Sequence, residues 1–363
     1  MKTYCLFIFF NTAVSLCLWA QSSLEDYLQV HAQAVSLDFQ EDLSIPSLDT
    51  SLASYRFFIS GEFHGVSSNH KIKFKLLKYL HQKANVRYLI IESGYSSAFL
   101  LNQFLANGDT TLLCGYYLAE KVFWQHLRTF NQTLSEDEQV QVIGIDFERD
   151  EAFLKAMKLL LPATQPPQAI GPDMVALRQL VEDSITGDKR VKIIKAVQKN
   201  LKRNSALYEN YFKENYIIFR KIIDNPVPLT PRTKRDKFAY KNMLEEYHSK
   251  GGGNYYAQYG ISHVNLTFGN IAGLLNAQED SPFKSKVLVL MPLYINCMAR
   301  HKNEVWEADG FGLLRQAGIK NIDEVARLFH DNITFIDLRF MQNYPKLKNS
   351  AHFMMLVKNQ PSL

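Results

Sequence analysis

The chain has 363 residues, of which 47% are hydrophobic and 12% aromatic, so it is long enough to bury one large hydrophobic core or two ordinary ones. Its 41 basic and 36 acidic residues leave a net charge of only +5 without long runs of one sign, which argues against a nucleic-acid-binding protein. The sequence contains no repeat or low-complexity tract, which excludes solenoids and disordered chains.

The first 20 residues have the composition of a secretory signal peptide. Lys2 provides the positive end, Tyr4 to Trp19 is mostly apolar, and Ala20-Gln21 is the expected cleavage point. An uncleaved anchor and a lipoprotein centred on Cys17 are weaker alternatives, because the stretch is short for a membrane span and bulky Leu16 precedes the cysteine. We expect an exported mature chain, residues 21–363, that is periplasmic or secreted and has no membrane span.

Two cysteines, Cys114 and Cys297, lie outside this segment. Their spacing leaves either one disulfide or two thiols open, and we favour two thiols. The sequence has neither a CxxC motif nor a Cys/His spacing typical of zinc, so a structural zinc site is not expected.

Apolar segments alternate with helical ones along the chain, which predicts an α/β fold with a mostly parallel central sheet and helices on both faces. Residues 174–250 are long amphipathic segments rich in Lys and Arg and predict a helical insertion or cap. The predicted strands, in chain order, are Arg56–Ser60, Arg87–Ile91, Val140–Asp146, Tyr255–Gly260, Lys286–Met291, Ile333–Leu338 and His352–Val357.

The first four strands each end at ionisable side chains. In open α/β sheets, ligands bind at the carboxyl ends of the strands, so we expect these groups to line one cleft. The residues are Glu62, His64, Glu92, Asp146 and His263.

His64 follows the first strand in a turn between Gly61 and Gly65, where glycine permits tight backbone geometry and close ligand approach. A histidine beside carboxylates can be tuned as a general base. The alternative is a turn histidine that caps the next helix. His263, taken alone, favours a structural role.

Lys73 falls inside the apolar stripe of the helix that follows, whereas Lys75, Lys78 and His81 lie on the opposite side. A lysine that faces a core either snorkels to the surface or forms a pair, here with Glu62 or Glu92.

Arg235 and Asn242 share one side of the predicted helix Thr233–Tyr247, which fits either a cleft or a surface face. The sequence has no GxSxG nucleophile motif, no phosphate-binding glycine loop and no HExxH. Two histidines with several carboxylates would suit Mn, Zn or Fe, so a divalent metal stays open.

At these residues the chain resembles the erythromycin esterase-like superfamily, which also includes haem-binding uptake lipoproteins and TraB/TIKI-type proteins. The GExHG turn at His64 is similar to the family's GE-x-x-H motif, one residue shorter, and Lys73 stands where the esterases usually have Arg. Leu266 takes the place of the second histidine of AHNxH. The resemblance covers residues 56 to about 357 and includes Trp124–Asn131, Gly144–Asp146, Arg235-Asp236 with Asn242, and Ser262–Asn265.

The resemblance implies a hydrolase in which His64 activates water against an ester or similar acyl bond of a small molecule. Glu62 and Glu92 would orient the histidine or polarise water, and Lys73, Arg235 and His263 would stabilise the oxyanion. Asp146, Asn242 and Asn265 would contact the substrate. No cofactor is expected.

Two alternatives follow from other branches of the same superfamily. One is a haem-binding protein without hydrolytic activity, with His64 or His263 as the iron ligand and Tyr116 and Tyr117 in the pocket wall. The other is a metal-dependent protease. The sequence does not indicate the substrate or the oligomeric state.

Overall fold

The central sheet holds eight strands in the order β1-β9-β10-β6-β2-β5-β3-β4 across the described residues. The computed structural model describes residues 24–39, 41–225, 232–267, 269–301, 304–308, 333–342 and 345–363. The predicted signal peptide, residues 1–20, lies outside them. The strands of this sheet are β1 (Ala32–Ala34), β2 (Phe57–Glu62), β3 (Val86–Ile91), β4 (Gln141–Gly144), β5 (Asn254–Gly260), β6 (Val287–Ile295), β9 (Ile333–Asp337) and β10 (Phe353–Lys358).

Six neighbouring strands, from β10 to β4, run parallel to one another, and β9 is antiparallel to both β10 and β1. This confirms the predicted α/β class with a mostly parallel sheet. Strands β2 and β6 are buried along their whole length, as expected for parallel strands covered on both faces. A separate hairpin pairs β7 (Met298–His301) with β8 (Glu304–Glu307).

Helices cover both faces of the sheet, because alternate residues of each strand point to opposite sides. Phe58 packs with Leu76 and Leu77 in one core, and Phe57 packs with Met243 in the other. The helices of the described residues are α1 (Leu24–His31), α2 (Pro46–Asp49), α3 (Asn69–Ala84), α4 (Tyr95–Asn107), α5 (Tyr116–Ala119), α6 (Lys121–Gln132), α7 (Asp150–Leu160), α8 (Gly171–Glu182), α9 (Gly187–Arg203), α10 (Ser205–Phe212), α11 (Tyr216–Asp224), α12 (Arg232–Ser249), α13 (Ile271–Ala277) and α14 (Pro345–Ser350).

Helices α7 to α12 lie between β4 and β5 in the chain. The apolar sides of α8, α9 and α11 are buried in the same core as α3, through residues such as Leu177, Val197 and Phe219. Helix α12 packs instead on the other face, through Ala239 and Met243. Within the described residues, every helix is too short or too polar to traverse a bilayer.

Two side chains of α3 that were expected on its exposed side are buried instead. Lys75 donates to the carbonyl of Asp38 over 2.6 Å, and the His81 ring lies 2.8 Å from the carbonyl of Glu138. Leu37 and Phe39 pack against the core beside this face of the helix. The helical pattern of the sequence did not reveal this burial, because the segments around Asp38 and Glu138 that cover this side of α3 are distant in sequence.

The strand order brings the carboxyl ends of β2, β5, β3 and β4 next to one another. Strand β5 lies between β2 and β3, with Glu62 opposite Gly260 and Ile91 opposite Gln258. The four strands that were predicted to end in ionisable groups therefore share one edge of the sheet.

Candidate active site

A cavity of about 490 Å³ opens at this shared edge. Glu62, His64, Lys73, Glu92 and Arg235, all predicted from the sequence, line it. The rest of the wall is partly apolar and partly polar, and it includes Leu89, Ile91, Ser93, Ser97, Cys114, Tyr116, Tyr117, Arg149, Glu151 and Gln258.

The His64 ring is held between two carboxylates. Its Nδ1 lies 2.6 Å from Oε1 of Glu62, and its Nε2 lies 3.6 Å from Oε2 of Glu92. The His64 side chain is 49% exposed, whereas Glu62 is buried beneath it. Gly260 leaves room for the ring, since a Cβ there would lie only 3.0 Å from Nε2.

The turn that carries His64 depends on Gly65. This residue has a φ of +88°, and a Cβ would lie 2.0 Å from the carbonyl oxygen of Arg300, so only glycine fits. The backbone of Gly65 accepts from Leu363 N at 2.7 Å and from Arg300 N at 3.1 Å. Leu363 and Arg300 of β7 thus stabilise the turn through its backbone.

The two carboxylates give His64 a positive charge at neutral pH. Burial by itself lowers the pKa of His64, but the hydrogen bond and charge of Glu62, together with the charge of Glu92, outweigh it and raise the pKa to about 9.

The pKa values of the two glutamates shift in the opposite direction. Burial by itself raises the pKa of Glu62, but the hydrogen bond and charge of His64 outweigh it and lower the pKa. The pKa of Glu92 is also lowered, because the charges of His64 and Arg235 and the hydrogen bond from the backbone of Gly260 outweigh its burial. Both carboxylates are therefore ionised at neutral pH.

Arg235 of α12 joins the ends of β3 and β4. Its Nε lies 2.9 Å from both carboxylate oxygens of Asp146, and its Nη2 donates to Oε1 of Glu92 over 2.6 Å. The guanidinium also stacks on the Phe147 ring, 4.9 Å from its centroid. Arg235 fixes the orientation of Glu92, which in turn faces His64.

His263 lies behind Arg235 rather than in the cavity wall, and its side chain is only 5% exposed. Arg235 Nη1 lies 3.4 Å from His263 Nε2, and arginine can only donate, so we assign the ring proton to Nδ1, where Asp236 accepts over 2.6 Å. His263 therefore links Asp236 to Arg235. Asp236 was not predicted as a site residue, although the RD pair contains it.

The three residues that were predicted to contact the substrate lie outside the cavity wall. Asp146 is buried under Arg235. Asn242 donates to the carbonyl of Ile145 over 2.8 Å and so ties α12 to the end of β4. Asn265 accepts from the backbone and hydroxyl of Thr267. All three side chains are committed to structural hydrogen bonds and are absent from the cavity lining in the described part of the chain.

Lys73 neither snorkels nor pairs with Glu62 or Glu92. It donates to both carboxylate oxygens of Glu120, at 2.8 and 2.7 Å, and lies over the Phe123 ring. Glu120 was missed because it precedes α6 rather than ending a strand. The only signal in the sequence is an acidic residue three positions before the buried Phe123-Trp124 pair.

Cys114 and Cys297 are both buried and unpaired, which confirms two free thiols. Cys114 lines the cavity, and burial raises the pKa of its thiol to about 11. The thiol is therefore neutral at physiological pH and is not an activated nucleophile.

Both histidines of the haem alternative already have partners at a ring nitrogen. An iron ligand must offer a ring-nitrogen lone pair, and Nδ1 of His64 lies 2.6 Å from the carboxylate of Glu62. The Nε2 of His263 is engaged by Arg235. For a divalent metal, the described residues contain no cluster of three His, Cys, Asp or Glu side chains suited to hold the ion.

The fold and the site define an α/β protein with an acid–base cavity at the carboxyl edge of a parallel sheet. No protein-family model and no curated protein matches the sequence.

Solved structures with a similar fold include a succinoglycan biosynthesis protein (TM-score 0.67, 12% identity, 93% of this chain and 97% of that one). A mutant of the erythromycin esterase EreC in its open conformation matches with a TM-score of 0.63 at 12% identity, over 91% of this chain and 98% of that one. A protein from Bacillus cereus matches with a TM-score of 0.60 at 15% identity, over 93% and 97%. The chain therefore has an erythromycin-esterase-like fold, as the sequence motifs predicted.

Proposed function

We propose that this protein is a hydrolase that uses His64 to activate water against an ester or related acyl bond of a small molecule. The observation that carries the proposal is the half-exposed His64 ring, which faces the cavity between the ionised carboxylates of Glu62 and Glu92. The EreC structure supports the choice of reaction class, because a protein named as an esterase shares the fold.

The proton moves through Nε2 of His64. The reaction starts from the neutral ring, which is the minor form at neutral pH because the pKa of His64 is raised to about 9. In this form Glu62 accepts the Nδ1 proton over 2.6 Å, so Nε2 is free to take a proton from water. The oxygen of that water forms a bond to the acyl carbon, and the carbonyl oxygen becomes an oxyanion. When the intermediate collapses, the bond to the leaving alkoxide breaks and Nε2 returns its proton to that oxygen, which gives a carboxylic acid and an alcohol.

Two positive charges lie near the oxyanion in this scheme. The imidazolium of His64 forms as water is deprotonated, and the guanidinium of Arg235 lines the same cavity. Lys73 and Arg235 both contribute less than the sequence suggested, because Glu120 pairs with Lys73, and Asp146 and Glu92 pair with Arg235. His263 acts through Arg235 as a positioning residue.

The test is turnover of a panel of small esters and lactones by the wild-type protein and by His64→Ala. We expect the substitution to lower kcat/KM by about 100- to 10,000-fold. The kcat/KM of the wild type should rise with pH up to about 9, since only the neutral ring accepts a proton. The control is His126→Ala, because His126 stacks on Phe39 away from the cavity. Wild-type turnover in His64→Ala would remove His64 from the mechanism.

We also propose that the protein is exported, periplasmic or secreted, with a small molecule as its partner and neither nucleic acid nor a membrane span. The apolar segment before Ala20-Gln21 supports this. N-terminal sequencing of protein from the expressing cells should begin at Gln21. Protein that retains Met1 and stays in the cytosol would contradict export.

A further inference from the structure

Two buried oxygens in the cavity wall have no hydrogen-bond partner in the described structure: Oε2 of Glu62 and Oε1 of Gln258. Both residues are more than nine-tenths buried, and both line the cavity. Buried acceptors in folded proteins are normally satisfied, so each unpaired one requires an explanation. Two in the same wall indicate a place for a group that donates hydrogen bonds.

The sheet places the side chains of Glu62 and Gln258 on the same face. Gln258 of β5 lies opposite Ser60 of β2, and Glu62 follows Ser60 by two residues, so the two side chains are diagonal neighbours. The other oxygen of Glu62, Oε1, is engaged by His64 and by the hydroxyl of Tyr116, which lies 3.1 Å away.

The neighbour of the Gln258 amide assigns its orientation. Its Nε2 lies 3.4 Å from the backbone carbonyl oxygen of Asn69, which can only accept. The Asn69 side chain is itself fixed by the hydroxyl of Tyr294 and the carbonyl of Phe63. Gln258 must therefore present Oε1, an acceptor, to the other side.

The cationic side chains nearest to these oxygens already have partners. Lys73 donates to both oxygens of Glu120, and Arg235 is shared between Asp146 and Glu92. Within the described residues, no group donates a hydrogen bond to either oxygen. The positive charges of Lys73 and His64, which both lower the pKa of Glu62, disfavour a second cation such as an ammonium group. A neutral donor fits better.

We infer that Glu62 and Gln258 form a subsite for a hydroxyl group of the substrate, so that the preferred substrates are hydroxylated esters. This inference rests on the proposed hydrolase function for its kinetic readout. Because Glu62 also holds His64, a hydroxyl bound there places the substrate beside the ring that activates water.

The experiment compares esters that differ in their hydroxyl groups: methyl 3-hydroxybutyrate with methyl butyrate, and glyceryl monoacetate with propyl acetate. The wild type should have a kcat/KM at least about 10-fold higher for the hydroxylated member of one pair, because a site built to bind a hydroxyl rejects its analogue. Gln258→Leu should bring that ratio close to one. The ratio is independent of the fraction of folded protein, so a partly misfolded variant does not obscure it.

The matched control is Ser60→Ala. Ser60 lies on the same face, is buried, and bonds to the hydroxyl of Tyr256 without lining the cavity. This variant should keep the wild-type ratio even if its stability falls.

Calorimetric binding of the same four esters to His64→Ala separates the subsite from the reaction. A hydroxyl preference in binding without any turnover by the wild type would reject the hydrolase and retain the subsite. Equal kcat/KM and equal binding within both pairs, or a preference that survives in Gln258→Leu, would overturn the subsite. A crystal structure that shows only a water molecule between the two oxygens in the presence of bound hydroxylated ester would also overturn it.

Discussion

Lys73 and Glu120 form a buried ion pair whose side chains are 7% and 0% exposed. Burial removes water from both charges, and only their mutual attraction and their hydrogen bonds offset the loss. Burial raises the pKa of Glu120 even with Lys73 beside it, which shows that desolvation outweighs the attraction for this carboxylate. The pair is therefore costly to break and contributes little net stability when intact.

Removing one partner should destabilise the protein more than removing both. We expect Lys73→Met or Glu120→Leu alone to lower the free energy of unfolding by about 3–5 kcal/mol, because each leaves an uncompensated buried charge. The double variant, which leaves an apolar contact, should lose less than either single variant. Urea denaturation of all four proteins measures this as a double-mutant cycle. Additive losses would show that the two side chains do not depend on each other.

At the scale of elements, the N-terminus of α4 is held by a carboxylate from the loop after β4. Glu148 accepts from the backbone N–H groups of Tyr95 and Ser96 over 2.8 and 3.0 Å, and Asn225 donates to the same carboxylate. A helix N-terminus favours negative charge and leaves its first N–H groups without intrahelical partners. Glycine is required at Gly94, where a Cβ would lie 2.4 Å from the Glu148 carboxylate. This contact fixes where α4 begins, directly after Glu92 and Ser93.

Glu148→Ala should lower the free energy of unfolding by about 2 kcal/mol, since it leaves two buried N–H groups of α4 unpaired. Glu136→Ala, on an exposed turn, is the matched control and should stay within about 0.5 kcal/mol of the wild type. Urea denaturation followed by circular dichroism provides both values. Equal stability of the Glu148 variant and the control would show that water replaces the carboxylate without loss.

For the whole molecule, the sequence predicted the site best where the topology alone determines it. The strands are short apolar runs, and a parallel sheet brings their carboxyl ends to one edge, so His64, Glu62 and Glu92 were found without coordinates. The predicted partner of Lys73 was wrong, because Glu120 lies at the start of a helix and the prediction considered only residues at the ends of strands. Gln258 was also missed, although it is the one amide side chain inside an otherwise aromatic and small-residue strand, Tyr255–Gly260.

Side-chain direction explains the other differences. The sequence predicted Asp146 and Asn242 as substrate contacts. In the structure, Asp146 accepts from Arg235, and Asn242 donates to the carbonyl of Ile145. Whether a polar side chain lines the cavity or is buried in a hydrogen bond depends on which of its neighbours it pairs with. Pairing across 89 residues, as between Arg235 and Asp146, is set by tertiary packing and leaves no periodic signal.

The charged site should also make the stability of the whole protein depend on pH. The pKa of His64 is raised in the folded state to about 9, against about 6.5 for an unfolded histidine, so the folded protein binds more protons between these values. Its contribution is fully present below pH 6.5 and is lost as the pH rises through about 9. The lowered pKa values of Glu62 and Glu92 act in the opposite direction, because their contribution is present above the unfolded value and lost as the pH falls through the folded one.

We therefore expect the urea midpoint of the wild type to fall between pH 6.5 and 9, and His64→Gln to show a smaller fall over the same interval. His126→Gln controls for the removal of a histidine outside the cavity. Chain-wide titration of lysines and tyrosines affects all three proteins alike, so the difference between their slopes isolates His64. Parallel slopes for wild type and His64→Gln would mean that the ring gains no proton affinity on folding. The two carboxylates would then not hold His64 as the coordinates place it, and the acid–base site would lose its central contact.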